Sequence, residues 1–351
     1  MGDDRWVALH VFYASDANPI LVEAVRPLVD ELRRDQLIDG WFFIKYWMEG
    51  PHIRVRFKPS SPELRDEVTQ RATAALEEFL KRRPALYDTD VDGLDDLYKR
   101  MYVAEYGEES WNEKYGDGGM PYRPNNSVAL MPYDPEYDRY GGPVGIDIAE
   151  WHFEHSSDLV ALLLATSNAH VRPVLLGMAT QLSLMTAYTF LHTDEAVRRF
   201  FQRYRTFWET SYQEPSDDYH SSFEKSFDRT RETLLPRIER IRSVAAAMNG
   251  TADATGDEPS LSQIERRWLA HCAELRDRVL DAASRGELLF PSRQGEGRST
   301  IDEPEALATV LLSSYIHMTN NRLGVAILDE IYLSYLIERA LTPAEELVET
   351  A

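Results

Sequence analysis

Cysteine is almost absent: Cys272 is the only one in 351 residues. That excludes an intramolecular disulfide and a cysteine-rich metal site, and fits a reducing compartment. Long apolar runs are missing as well. No segment reads as the roughly 20 consecutive apolar residues of a membrane span. The start, MGDDRWVALHVF, carries acids where a signal peptide carries positive charge, and it does not match a myristoylation signal. The expectation is a soluble, cytoplasmic protein that engages no membrane. Positive charge is in deficit, with a formal net charge of −21. A surface that grips duplex DNA or tRNA needs a broad basic field, so no nucleic-acid partner is expected. A small anion remains possible, because salt screens distant charges over about 8–10 Å and local arginines then dominate. Also missing are a GxxxxGK[ST] loop, a GxGxxG turn after a strand and a GxSxG elbow. ATP hydrolysis, dinucleotide chemistry and hydrolase triads lose their sequence support.

What is present begins with alternation. Residues 5–12 read as a strand and 18–36 as an amphipathic helix with Ile20, Val25, Leu28, Val29 and Leu32 on one side. WFFIKYW reads as a strand buried on both faces. Glu49-Gly50-Pro51 turns the chain into HIRVRFK, a second alternating strand. A helix over 61–81 follows, and SVALMPY (127–133) supplies a fourth strand. The predicted class is α+β: an N-terminal ferredoxin-like (split βαβ) sheet packed with a larger helical part. Residues 1–148 hold the sheet and 149–351 the helices, as one integrated domain. The stretch 106–126 reads as a long irregular loop. Helices are expected near 157–166, 171–192, 194–211, 218–248, 261–285, 304–322 and 325–340, with polar connections at 249–260 and 291–300.

Four stretches concentrate chemistry. In KYWMEGPHIRVRF, alternation puts His52, Arg54, Arg56 and Lys58 on one strand face. Residues i and i+2 stand about 6.7 Å apart, so Arg54 and Arg56 can reach one anion, each offering a planar fork for a carboxylate. The bland alternative is a solvated sheet face. In YDPEYDRYGGP, Arg139 and Tyr140 precede paired glycines able to take positive φ; a plain turn with a salt-bridged arginine is the alternative. In LLSSYIHMTNNRLGV, His317 is expected on an inward helix face with Leu307, Val310, Leu311, Ser314, Met318 and Asn321. Asn321 and Arg322 lie within a turn of it. A satisfied core histidine is the alternative to a base. In EWHFEHSSD, the spacing of His152, Glu154 and His155 matches no strong zinc signature, so no metal is expected; Ser156-Ser157-Asp158 reads as a helix N-terminus.

WFFIKYWMEGPHIRVRF, YDPEYDRYGG and SSYIHMTNNR, in that order, resemble the C-terminal domain of lantibiotic dehydratases, in its stand-alone form associated with thiopeptide-type bacteriocin biosynthesis. The resemblance covers most of residues 5–340. It implies an enzyme that eliminates glutamate from glutamylated Ser or Thr of a precursor peptide, leaving dehydroalanine or dehydrobutyrine. A separate glutamylation protein would then be a partner, and no cofactor is needed. On that reading His317 is the base and Arg139 stabilises the leaving carboxylate. Arg54 and Arg56 hold the glutamate, with His52, Tyr140, Asn321 and Arg322 in supporting substrate contacts. A sister branch of the family joins two dehydroalanines into a six-membered nitrogen ring by a formal aza-Diels–Alder reaction. For that alternative Tyr133, Tyr137, Tyr140 and Tyr188 are the candidate aromatic surfaces. A non-catalytic peptide-binding subunit is the third possibility.

Overall fold

A computed structural model of the protein describes residues 5–87, 91–212, 219–248, 261–292 and 297–343. The expected connection at 249–260 lies outside them. The chain divides into two compact units: residues 1–135 with 153–167, and residues 136–152 with 168–351.

The first unit is built on four strands, β1 (Val7–Phe12), β2 (Ile38–Tyr46), β3 (His52–Pro59) and β4 (Ser127–Met131). All pairings are antiparallel, in the order β2-β3-β1-β4. This is the order that a split βαβ arrangement requires. Register follows the pleat: Leu9 pairs with Val55 and Val55 with Phe43, while His10 pairs with Arg54 and Arg54 with Ile44. One face is therefore apolar, with Val7, Leu9, Val11, Val55 and Phe57 all buried. It is covered by the helix Arg26–Arg34, through Leu28, Val29 and Leu32, and by Arg65–Arg82, through Val68, Ala72, Leu76 and Phe79. The other face carries the basic residues. Glu49 and Gly50 form the β2–β3 turn at φ 64° and 110°.

Two expectations change here. The stretch 106–126 is not all loop: the helix Val91–Tyr106 leads into it and the helix Glu108–Lys114 lies within it, while 119–126 is irregular as expected. Tyr98, Tyr102, Trp111 and Met120 bury against Met48 and form a small aromatic core of their own. Ser156-Ser157-Asp158 does not start a helix either. The helix runs from Pro143 to Thr166, starting at a proline that follows the glycine pair. Within this unit Ser157 and Asp158 fasten an edge of the sheet, while Ser156 donates to the Phe153 carbonyl of its own helix. Ser157 Oγ accepts from the Phe43 amide at 3.2 Å, and Asp158 accepts from Trp41 Nε1 at 2.8 Å and from the Arg33 guanidinium at 2.9 and 3.0 Å. Gly40 permits the approach, since a Cβ there would lie 2.4 Å from the Glu154 carboxyl.

The second unit is helical: Arg172–Leu191, Asp194–Tyr212, His220–Met248, Gln263–Ser284, Pro304–Leu323 and Ile327–Leu341 match the expected spans to within a few residues. Arg172–Leu191 contacts each of the other five. It is long and apolar enough to cross a membrane, with mean hydropathy 1.4, but 72% of that window is buried in the protein. Its apolarity belongs to a central packed helix. Ser262 and Glu265 form a reciprocal capping box on Gln263–Ser284. Gly324, at φ 92°, ends Pro304–Leu323 and lets the chain reverse into Ile327–Leu341.

Candidate functional site

The basic strand face belongs to the first unit. Arg54 and Arg56 do lie on one face, with His10 and Ala8 opposite them on β1. Arg54 donates from Nε to His52 Nε2 at 3.1 Å, so the His52 proton sits on Nδ1 and is given to the Gly50 carbonyl at 2.8 Å. The Arg54 guanidinium lies over the Tyr46 ring at 3.5 Å from its centroid. Arg56 is buried, 4.5 Å from the Tyr133 centroid and 5.1 Å from that of Phe42. Lys58 continues the row beside Trp6. His10, which sequence reasoning passed over, stacks on His52 at 4.9 Å and 23°. Burial pushes His52 down to about 3, with the Arg54 and Arg56 charges adding to it. Burial likewise pushes His10 down to about 2, helped by Arg54, His52 and Arg56. Both imidazoles are neutral hydrogen-bonding groups at neutral pH.

The second cluster lies in the helical unit. His317 gives Nδ1 to Glu330 Oε1 at 2.8 Å. Its side chain is 21% exposed and that of Glu330 is fully buried. Glu330 Oε2 accepts from the Tyr204 hydroxyl and, at 3.2 Å, from Asn320 Nδ2. The Trp208 ring packs 4.7 Å from the imidazole. Burial and the Glu330 carboxylate push the Tyr204 hydroxyl well above its ordinary value, which keeps its proton in place as a donor. The buried face is turned away from the expected one, though Leu307 and Leu311 are buried as expected. Val310, Ser314, His317 and Asn321 form a half-open stripe, and Ala308, Leu312, Tyr315 and Thr319 are buried on the opposite side. An imidazole that is part-exposed and backed by a buried carboxyl has the geometry of an acid–base group.

Three further candidates lie in the same unit. Tyr140 is buried, stacked on Tyr315 at 5.9 Å, and burial pushes its hydroxyl up. Arg322 is fully buried and donates to the Met318 carbonyl at 2.8 Å. Arg139, on the short helix Tyr137–Tyr140, is exposed and pairs with Glu136 at 3.2 Å. Gly141 and Gly142 follow at φ 85° and 92°, and a Cβ on Gly145 would sit 1.7 Å from the Tyr140 carbonyl oxygen, so that turn admits no side chain there. His152 is a core residue, its Nδ1 2.9 Å from His271 Nε2. Among the aromatics, Tyr133 lies under Arg56, Tyr188 donates to Asp194 at 2.7 Å, and Tyr137 is exposed. Sequence spacing gave no sign of Glu330, which reaches His317 from another helix, or of Tyr204, which bonds Glu330 from a third.

Known structures share this fold. The pyridine synthase TbtD, from thiomuracin biosynthesis, superposes with a TM-score of 0.74 at 19% identity, over 99% of this chain and 100% of that one. TsrL superposes with a TM-score of 0.62 at 18% identity, over 98% of this chain and 95% of that one. The tRNA-dependent lantibiotic dehydratase MibB from Microbispora sp. 107891 gives a TM-score of 0.46 at 16% identity, over 99% of this chain and 28% of that one. No curated protein matches the sequence. The family model of the lantibiotic biosynthesis dehydratase C-terminal region spans residues 6–341, which contain every residue of both clusters, and the chain belongs to that family.

Proposed function

We propose that the protein is a peptide cyclase that joins two dehydroalanines of a modified precursor peptide into a six-membered nitrogen ring. The observation that carries this reading is the end-to-end fold match with a pyridine synthase, over 99% of this chain and 100% of that one. The chemistry balances without a redox partner. One dehydroalanine, as the iminol tautomer of its amide, supplies Cβ=Cα–N=C, and the other supplies Cβ=Cα. Two carbon–carbon bonds form and close the ring. The iminol hydroxyl leaves as water and the adjoining amide nitrogen leaves with the leader segment as a carboxamide. Each departure takes one hydrogen from a ring methylene, and the product is a pyridine. Every stage moves protons between nitrogen, oxygen and carbon, which is work for His317 as acid and base. Arg54, steadied by neutral His52, and Arg56, each beside an aromatic ring, are suited to hold amide oxygens and flat, conjugated substrate.

Glutamate elimination is the second reading. It is favoured by one observation: two arginines on one face, Arg54 and Arg56, offer the forks a glutamyl carboxylate needs. In that reaction His317 takes the α-proton and the ester carboxylate leaves. The partner would be a separate glutamylation protein, and in both readings the substrate is a peptide. One assay separates them. Purified protein is given a peptide with two dehydroalanines, and separately a glutamylated peptide. The cyclase reading expects a macrocycle with loss of the leader from the first and no change in the second.

A further inference from the structure

We propose that Glu330 is a positioning residue that fixes the His317 tautomer, keeping the proton on Nδ1 and leaving Nε2 as the nitrogen that exchanges protons with the substrate. The functional half of this rests on His317 being the acid–base group of the reaction above; the tautomer itself does not.

The geometry comes from three helices. His317 and Asn320 are three residues apart on Pro304–Leu323, hence on neighbouring sides of one turn. The Gly324 reversal brings the first turn of Ile327–Leu341 back beside them, and Glu330 lies in that turn. A helix N-terminus favours a carboxylate there. Tyr204 reaches in from Asp194–Tyr212. Glu330 is thereby given three donors: His317 Nδ1 on Oε1, and the Tyr204 hydroxyl with Asn320 Nδ2 on Oε2. Its acceptors cannot be shared out otherwise, because Asn320 Nδ2 has only hydrogens to offer. A fully buried carboxyl with both oxygens engaged cannot swing away, so the imidazole bonded to it is held in one orientation and one tautomer. Trp208 packs against the ring and limits its rotation. Among the described residues no group bonds Nε2, and the part-exposed imidazole leaves that nitrogen available.

Replacement of Glu330 by glutamine exposes the role. An amide that offers its oxygen to His317 Nδ1 turns its NH2 toward Tyr204 and Asn320, which strips the Tyr204 hydroxyl of its acceptor and sets donor against donor unless Asn320 turns its own amide as well. Turned round, it satisfies Asn320 and Tyr204 but donates to His317 Nδ1, which moves the proton to Nε2. The substitution is therefore expected to invert the tautomer while the fold persists. The cost to a base that must present a bare nitrogen is a 10²- to 10⁴-fold fall in kcat with KM within about threefold, by analogy with a histidine held by a carboxylate in a serine protease triad. Glu330→Asp, which keeps the charge but shortens the reach, is expected to recover part of that loss.

The test is ¹⁵N NMR of protein labelled at histidine, recorded at a pH where the imidazoles are neutral, with the His317 resonances identified by their disappearance in His317→Gln. The proposal expects Nδ1–H with a bare Nε2 in the native protein and the reverse in Glu330→Gln. A native spectrum with the proton on Nε2 overturns the proposal, and it does so even if Glu330→Gln fails to fold. An unchanged tautomer in a folded Glu330→Gln also overturns it. A tautomer that inverts as expected, in a protein that turns over neither peptide, upholds the positioning role and removes the proposed function instead.

Discussion

The two clusters handle the same residue type in opposite ways. On the sheet face, His10 and His52 are buried, stacked on each other and surrounded by guanidinium groups, and burial holds both neutral. In the helical unit, His317 is part-exposed and bonded to a buried carboxyl. The first environment makes imidazole a fixed dipole and a support for Arg54. The second fixes one ring nitrogen on a carboxyl and leaves the imidazole part-exposed. Composition alone puts nine histidines in the chain; neighbours decide what each can do.

If this division of labour holds, substitutions in the two clusters should fail differently. The largest effect belongs to His317→Ala, which removes the proton carrier. We expect kcat to fall at least about a hundredfold with the fold intact, as read by mass spectrometry of the peptide product and by circular dichroism. A variant with near-native kcat would dissolve the comparison. Next come Arg54→Lys and Arg56→Lys. A lysine keeps the charge but loses the planar contact with Tyr46 or Tyr133, so we expect a rise of about tenfold in KM with a smaller change in kcat. A pure kcat defect would instead place these arginines in the chemical step.

The neutral pair predicts a pH effect on stability. The unfolded chain protonates both histidines near pH 6.5. The folded protein does so only near about 3 for His52 and about 2 for His10. Across that interval the unfolded state binds more protons, so the contribution is whole above pH 6.5 and is lost as pH falls below it. Each histidine adds a slope that approaches about 1.4 kcal/mol per pH unit. Urea unfolding between pH 7.5 and 4.5 should show a flatter profile in His10→Gln/His52→Gln than in the native protein. Equal slopes would mean the pair is not held neutral. The smallest effect is expected at Arg139. Exposed and paired with Glu136, it should tolerate alanine with less than about threefold loss of cyclisation. A hundredfold loss would instead place Arg139 in the chemical step of the cyclisation.

The sheet was legible because a period of two and a positive-φ turn leave little choice of register; Arg54 and Arg56 share a face for that reason alone. The long helices were legible from their 3.6-residue repeat. Three things were not. His10 gains meaning only when β1 pairs with β3, a contact 42 residues away along the chain from His52. Glu330 follows His317 by 13 residues and meets it only because Gly324 reverses the chain. The helix face of His317 was read only in part: Leu307 and Leu311 are buried as expected, but Ala308, Tyr315 and Thr319 are small or amphipathic, so hydrophobicity marked the rest of the buried side poorly. The start of Pro143–Thr166 was misplaced for a related reason. Ser156, Ser157 and Asp158 look like caps, yet Ser157 and Asp158 spend their hydrogen bonds on Phe43, Trp41 and Arg33, partners distant in sequence.

The central claim is tested most directly by incubating the purified protein with a leader-bearing peptide that already contains two dehydroalanines, and following the mass of the core. The account predicts a macrocycle that has lost one water and released the leader as a carboxamide, with His317→Ala leaving the linear peptide untouched. A dehydrated peptide that survives unchanged, beside a glutamylated peptide from which the same protein releases glutamate, would contradict it.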